Sequence, residues 1–306
     1  MSVEQLAAGV RRGERRAIGR ALTLVEGLGA EADTLLAALG PPPSGARRVA
    51  ITGAGGVGKS TLIAALAGHL RAEGRTVAVL GVDPSSPLSG GAVLGDRVRM
   101  TEHDTDEGVF VRSQAGRGAS GAIAAATVCS AWVLAAAGHD VTLVETAGAG
   151  QDEVAVAGVA DLVVLALAPG AGDAVQALKA GIMEVPDVIA VTRADAPGAE
   201  LVVADLRLAG VDCPVVSTEA PRGHGVAELW AEVTARLDRL AANGELERRQ
   251  RAGMADQLRA LAIARMASRL PGRGDLEALA DEVMAGRRGL SAAVEVAVAR
   301  AEGPGG

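Results

Sequence analysis

The sequence predicts an α/β protein with a mostly parallel, doubly wound sheet, flanked by helices on both sides in sequence. Three observations predict it. Seven short β-rich runs alternate with helical stretches through the middle of the chain. Several of those runs are almost wholly apolar, as strands buried on both faces of a parallel sheet must be. The first run passes directly into a glycine-rich loop and then a helix, the order in which such sheets build a phosphate site.

The elements follow in order. Residues 2–39 read as helical: Ile18, Leu22, Val25 and Leu28 recur at helical spacing, and Leu35, Leu36 and Leu39 continue an apolar face. "GPPPSG" at 40–45 then breaks any helix. The predicted strands are 48–52, 76–82, 109–112, 141–145, 161–167, 187–192 and 213–217. From about residue 223 the chain reads as helix again, with one long segment at 246–270 and shorter ones at 274–289 and 291–302. The expected organisation is an N-terminal helical segment (1–45), a nucleotide-binding domain (46–240) and a C-terminal helical segment (241–306).

Composition narrows the partners. The 306 residues include no Tyr, one Phe and two Trp, so the core must be aliphatic. Few aromatics leave little to stack bases, and a net charge of −7 disfavours nucleic acid and anionic membranes. No apolar run reaches the roughly 18 residues of a membrane span without a charge or a turn former, and the N-terminus lacks the apolar core of a signal peptide. Cys129 and Cys213 have no metal-type spacing. Cys129 lies in an apolar helical stretch and reads as a small core residue. The expectation is a reduced, cytoplasmic protein.

"GAGGVGKST" (53–61) fits G-x-x-x-x-G-K-[ST] between a strand and a helix. Gly53, Gly55, Gly56, Val57 and Gly58 allow the backbone to wrap a phosphate with its N–H groups pointing inward, and the helix start at Lys59–Thr61 adds a favourable dipole. Lys59 is the expected partner of the β- and γ-phosphates and Ser60 of Mg²⁺. The chain is thus expected to be a P-loop NTPase. Asp83 ends the next strand, where ligands bind in open α/β sheets. The loop after it carries Asp96, Arg97 and Arg99. Glu145 ends another buried strand with Gly148 three residues on, the layout of a switch in which an acid serves the metal and a glycine N–H meets the γ-phosphate. Gln151 either orients the attacking water or opens a helix.

These residues carry a resemblance. "GERRAIGRALTLVE" (13–26), "GVGKST", "VDPSSPLSGGAVLGDRVRM", "LVETAGAGQDE", "PGAGDAVQALKAGIMEVPD" (169–187) and "GHGVAELW" (223–230) resemble the MeaB/ArgK family of P-loop GTPases, which includes MMAA. The resemblance implies a chaperone that gates adenosylcobalamin loading of an acyl-CoA mutase and protects or rescues it, coupled to slow GTP hydrolysis that the partner stimulates. It implies that Lys59, Ser60, Asp83, Asp96 and Glu145 form the GTP/GDP and Mg²⁺ site, and that the C-terminal helices carry homodimerisation. It also implies a third switch at 170–181, in which Asp173, Gln176 and Lys179 respond to the partner. An ordinary surface helix is the plainer reading of that segment. The chain departs from the family at Gly55, commonly Pro, at Ala147 and Ala149, commonly Val, and at Ala180, commonly Lys. Two other classes stay open from the residues alone, a metallochaperone GTPase of the HypB/UreG kind and a P-loop kinase.

The base-reading loop is unusual. A GTPase commonly has Asn-Lys-x-Asp where this chain has Thr192-Arg193-Ala194-Asp195. Asp195 can accept from guanine N1–H and N2–H₂, whereas adenine would leave it unpaired. Arg193 can lie over the purine, and the Thr192 hydroxyl can do part of the work of the Asn amide. Ser217-Thr218-Glu219-Ala220 stands where the loop covering the base should be. The expectation is GTP, with weaker base discrimination than usual.

Overall fold

Seven strands form one sheet in the order β3-β2-β4-β1-β5-β6-β7, every neighbouring pair parallel. They are β1 (Arg47–Thr52), β2 (Val77–Pro84), β3 (Val109–Gly116), β4 (Val141–Thr146), β5 (Leu162–Leu167), β6 (Val188–Val191) and β7 (Val215–Ser217). All seven expected strands are present, each within a few residues of its expected bounds. The computed structural model describes residues 1–84, 106–116, 120–146, 160–170, 186–267 and 269–302.

Before the sheet come α1 (Val3–Arg11), α2 (Arg15–Glu26) and α3 (Ala30–Leu39). The start of α1 is fixed by a reciprocal cap: the Gln5 N–H donates to Ser2 Oγ at 3.3 Å, and the Ser2 N–H donates to Gln5 Oε1 at 3.0 Å. Helix α2 buries Ile18, Leu22 and Val25 as its periodicity predicts, but it stops at Glu26. Leu28, expected on the same stripe, instead adopts φ +49°. Gly27 and Gly29 on either side give the helix no reason to continue. The 40–45 linker is pinned by Trp132, whose indole N–H donates to the Gly40 carbonyl at 2.6 Å.

The sheet is covered on both faces, which explains its apolar strands. Alternation along β2 shows how. Val77 and Val79 point to a core shared with α4 (Lys59–Ala72) and α7 (Val226–Ala242), including Leu66, Leu229, Trp230 and Val233. Ala78, Leu80 and Val82 point to the opposite core, built from α1–α3 and α5 (Ser120–Ala136). Cys129 packs against this second core, and burial pushes its thiol up to about 11, so it behaves as a small apolar side chain. Helix α6 (Ala199–Leu208) covers β5 and β6 through Ala199 and Leu206.

Two acids at the start of β5 and β6 fasten the beginning of α8 (Glu245–Ala267). Asp161, its side chain fully buried, accepts from the Arg48 backbone N–H at 2.7 Å, the Arg48 guanidinium at 2.8 Å and Gln250 Nε2 at 2.7 Å. Asp187 accepts from the Val163 N–H at 3.1 Å and from Arg249 Nη1 at 2.8 Å. The chain divides into two compact units, Met1–Met254 and Ala255–Gly306. Within the second, α9 (Arg273–Met284) and α10 (Leu290–Glu302) meet through Leu279, Ala293 and Ala297. No described helix is long and apolar enough to cross a membrane.

Candidate nucleotide site

Strand order determines what meets at the carboxyl edge of the sheet. Strand β1 is central, between β4 and β5, so the loop leaving it at Gly53 stands between the ends of β4 and β2 on one side and those of β5, β6 and β7 on the other. Acids ending β2 and β4 therefore flank one side of the phosphate loop, and the loops after β6 and β7 flank the other.

The phosphate loop is held by close backbone packing. Gly53 has φ +136°, and a Cβ there would overlap the Ala166 carbonyl of β5, so only glycine fits. At the far end Gly58 is left-handed, with φ +98°, and α4 starts at the next residue. Lys59 is buried, and its amine donates to the carbonyls of Gly53 at 2.6 Å and Ala54 at 3.0 Å. The cation thus curls back over the loop that its own helix closes. Gly55 and Gly56 are exposed, Val57 is buried, and Thr61 is exposed in the first turn of α4.

Ser60 and Glu145 meet beside it. The Ser60 hydroxyl donates to Glu145 Oε1 at 2.6 Å, and both residues are buried. Two hard oxygen ligands at this separation, next to a phosphate-loop lysine, form a donor set that suits Mg²⁺. Glu145 is in register with Ile51 of β1 and Gly81 of β2. Asp83 is the penultimate residue of β2, paired with Ala115, so it too reaches the carboxyl edge. Asp96, Gly148, Gln151, Asp173, Gln176 and Lys179 lie outside the described residues.

The base side is equally specific. Thr192 follows β6 and is buried. Its Oγ1 lies 2.5 Å from the Val57 carbonyl and 3.0 Å from that of Leu167. Arg193 is a non-glycine residue with φ +53°, and its Nη2 donates to the Gly56 carbonyl at 2.6 Å. Two successive residues of the base loop thus grip two successive carbonyls of the phosphate loop. Asp195 is exposed. The loop after β7 joins the same assembly: the Thr218 N–H donates to Val191 O at 2.7 Å, and the Ala194 N–H donates to Thr218 O at 3.0 Å. Ser217 is the exposed last residue of β7, and Thr218 is fully buried. The Glu219 carboxylate is taken up by Arg222 at 2.5 Å and His224 at 3.1 Å.

Sequence reasoning did not foresee the role of Gly225. A Cβ there would overlap the Ser217 carbonyl, and φ is +72°, so this glycine lets the loop after β7 close on itself. The "GHG" spelling was the available signal. Nor did it foresee that the carbonyls of Gly56 and Val57 anchor the base loop, since backbone acceptors leave no trace in a sequence.

Comparison with known proteins shows the family. The family model for the methylmalonyl-CoA mutase-associated GTPase MeaB matches residues 18–274. A putative GTPase of Pyrococcus horikoshii is 40% identical over 270 residues, covering 85% of this chain and 85% of that protein. The mouse protein named methylmalonic aciduria type A homolog, mitochondrial, is 32% identical, covering 80% of this chain and 65% of its own. A crystal structure of a LAO/AO transport system kinase superposes with a TM-score of 0.70 at 25% identity, covering 96% of this chain and 95% of that one. With a family match spanning the sheet, the phosphate loop and the base loop, the chain belongs to the MeaB family of mutase-associated GTPases.

Proposed function

We propose that this GTPase serves as a chaperone for an adenosylcobalamin-dependent acyl-CoA mutase of the methylmalonyl-CoA mutase type, gating cofactor loading and protecting or reactivating the enzyme. The observation that carries the reading is the family match from residue 18 to 274 to a mutase-associated GTPase. The contact between Ser60 and Glu145 supports the nucleotide half of it.

In this reading Gly53–Thr61 wrap the phosphates, and Lys59 leaves the Gly53 and Ala54 carbonyls to pair with the β- and γ-phosphates. Ser60, Asp83, Asp96 and Glu145 hold Mg²⁺, which supplies charge neutralisation at the phosphates when bound. The loop carrying Thr192, Arg193 and Asp195, together with the 217–219 loop, frames the guanine site, with Asp195 accepting from N1–H and N2–H₂. Gly148 and Gln151 act at the γ-phosphate and the attacking water, and Asp173, Gln176 and Lys179 answer to the partner. The helical C-terminus joins two copies in a homodimer, and the protein works in the cytoplasm.

The test is a pull-down from the native cytoplasm with the tagged full chain, loaded in parallel with a non-hydrolysable GTP analogue or with GDP. Recovery of an adenosylcobalamin-dependent acyl-CoA mutase that depends on the loaded nucleotide is the expected result. Recovery of no cobalamin enzyme in either state would overturn the reading.

A further inference from the structure

The Thr192 hydroxyl has one proton and two close neighbours, both carbonyl oxygens: Val57 at 2.5 Å and Leu167 at 3.0 Å. Neither can donate, so the proton is committed to the protein, and the shorter contact places it on the phosphate loop. The rest of the side chain is a methyl group. An asparagine at this position could hold the same carbonyl with one N–H and still turn another toward the base. Threonine has no second donor.

Among the described residues, no side chain of the base loop or of the loop after β7 replaces it. Thr218 is the nearest equivalent on the adjoining loop, but its hydroxyl is out of contact with solvent and with any described polar group, so it does not face an open base site. Arg193 directs its Nη2 to the Gly56 carbonyl, and Glu219 is bound to Arg222 and His224. Asp195 is the exception: its exposed carboxylate takes no hydrogen bond or ion pair from the described residues. A carboxylate accepts only, so it suits the N1–H and N2–H₂ edge of guanine and cannot serve N7, itself an acceptor.

We propose that Thr192 is a positioning residue that fastens the base loop to the phosphate loop and gives no hydrogen bond to the purine, so that N7 goes unread and selectivity for guanine rests on Asp195. The inference rests on the guanine-nucleotide reading of the site, and its test separates the two.

The experiment is equilibrium binding of GDP, 7-deaza-GDP, IDP and ADP to the full chain and to two variants. For the natural protein, 7-deaza-GDP should bind within about twofold of GDP. IDP, which lacks the N2 amine, should bind roughly tenfold or more weakly, as loss of a bond to a charged group implies. Thr192→Asn should create a preference for GDP over 7-deaza-GDP of roughly fivefold, the worth of one neutral hydrogen bond. Thr192→Val should weaken both ligands equally and leave their ratio unchanged, a result that separates positioning from base reading. A natural protein that binds 7-deaza-GDP about tenfold more weakly than GDP would overturn the inference, as would a Thr192→Val variant in which that ratio moves. ADP binding as tightly as GDP would instead overturn the guanine reading itself.

Discussion

Gly53 and Gly55 sit two residues apart in one loop, yet their backbones ask for different things. Gly53 combines φ +136° with a neighbour, the Ala166 carbonyl, where a Cβ would go; Gly55 has open space around it and no left-handed φ. Gly53→Ala should therefore lower stability by about 2 kcal/mol or more, while Gly55→Ala should be neutral or stabilise by up to about 1 kcal/mol through the unfolded chain. Urea unfolding of the two variants side by side checks this; equal losses would contradict it. His139 is the other residue with a defined consequence. Burial first, and the Arg15 guanidinium second, push its pKa from 6.5 down to about 4, against a smaller opposing effect of Asp140. The unfolded chain thus takes up this proton at a higher pH than the folded one. The stability linked to His139 is complete above about pH 6.5 and falls between there and pH 4, by about 3 kcal/mol over the full window. Unfolding midpoints at pH 7 and pH 5 should differ less in His139→Gln than in the natural protein.

At the scale of elements, one pair of buried acids anchors the start of α8. Asp161 and Asp187 open β5 and β6, and each joins a strand start to α8. Asp161→Ala would strand the Arg48 guanidinium, the Arg48 N–H and Gln250 together. A loss of about 3 kcal/mol follows from removing one partner of such a buried pair, measurable by denaturant unfolding; a loss under about 0.5 kcal/mol would show that α8 is held elsewhere. The strands themselves were legible from the sequence because burial on both faces leaves continuous apolar runs, and the phosphate loop because strand, glycines, lysine and helix occur together. The anchoring acids were not, since an Asp before a strand is common and its partners lie up to 113 residues away. The base loop was half legible. Asp195 can be proposed as a base reader from the sequence alone, whereas the contact of Thr192 with the Val57 carbonyl is visible only in the structure. Helix ends were least legible, as Leu28 illustrates.

For the whole molecule, the described residues of the second compact unit bury few apolar side chains. Leu279, Ala293 and Ala297 are buried, whereas Leu258, Ile263, Met266, Met284, Leu290, Val294 and Val298 are exposed. We propose that this exposed apolar surface is where two copies of the chain meet. The full chain should sediment as a dimer at micromolar concentration, and the double substitution Met284→Glu with Leu290→Glu should shift it toward monomer; a natural protein that stays monomeric would contradict the dimer. We propose that nucleotide turnover in this protein answers to a mutase. The most direct measurement is the steady-state release of phosphate from GTP and from ATP by the purified chain, with and without a saturating adenosylcobalamin-dependent acyl-CoA mutase from the same cell. The expected result is slow GTP hydrolysis alone, at least about tenfold acceleration by the mutase, equivalent to ~1.4 kcal/mol of barrier, and no comparable turnover of ATP. An unchanged rate with saturating mutase, or ATP hydrolysed as fast as GTP, would contradict it.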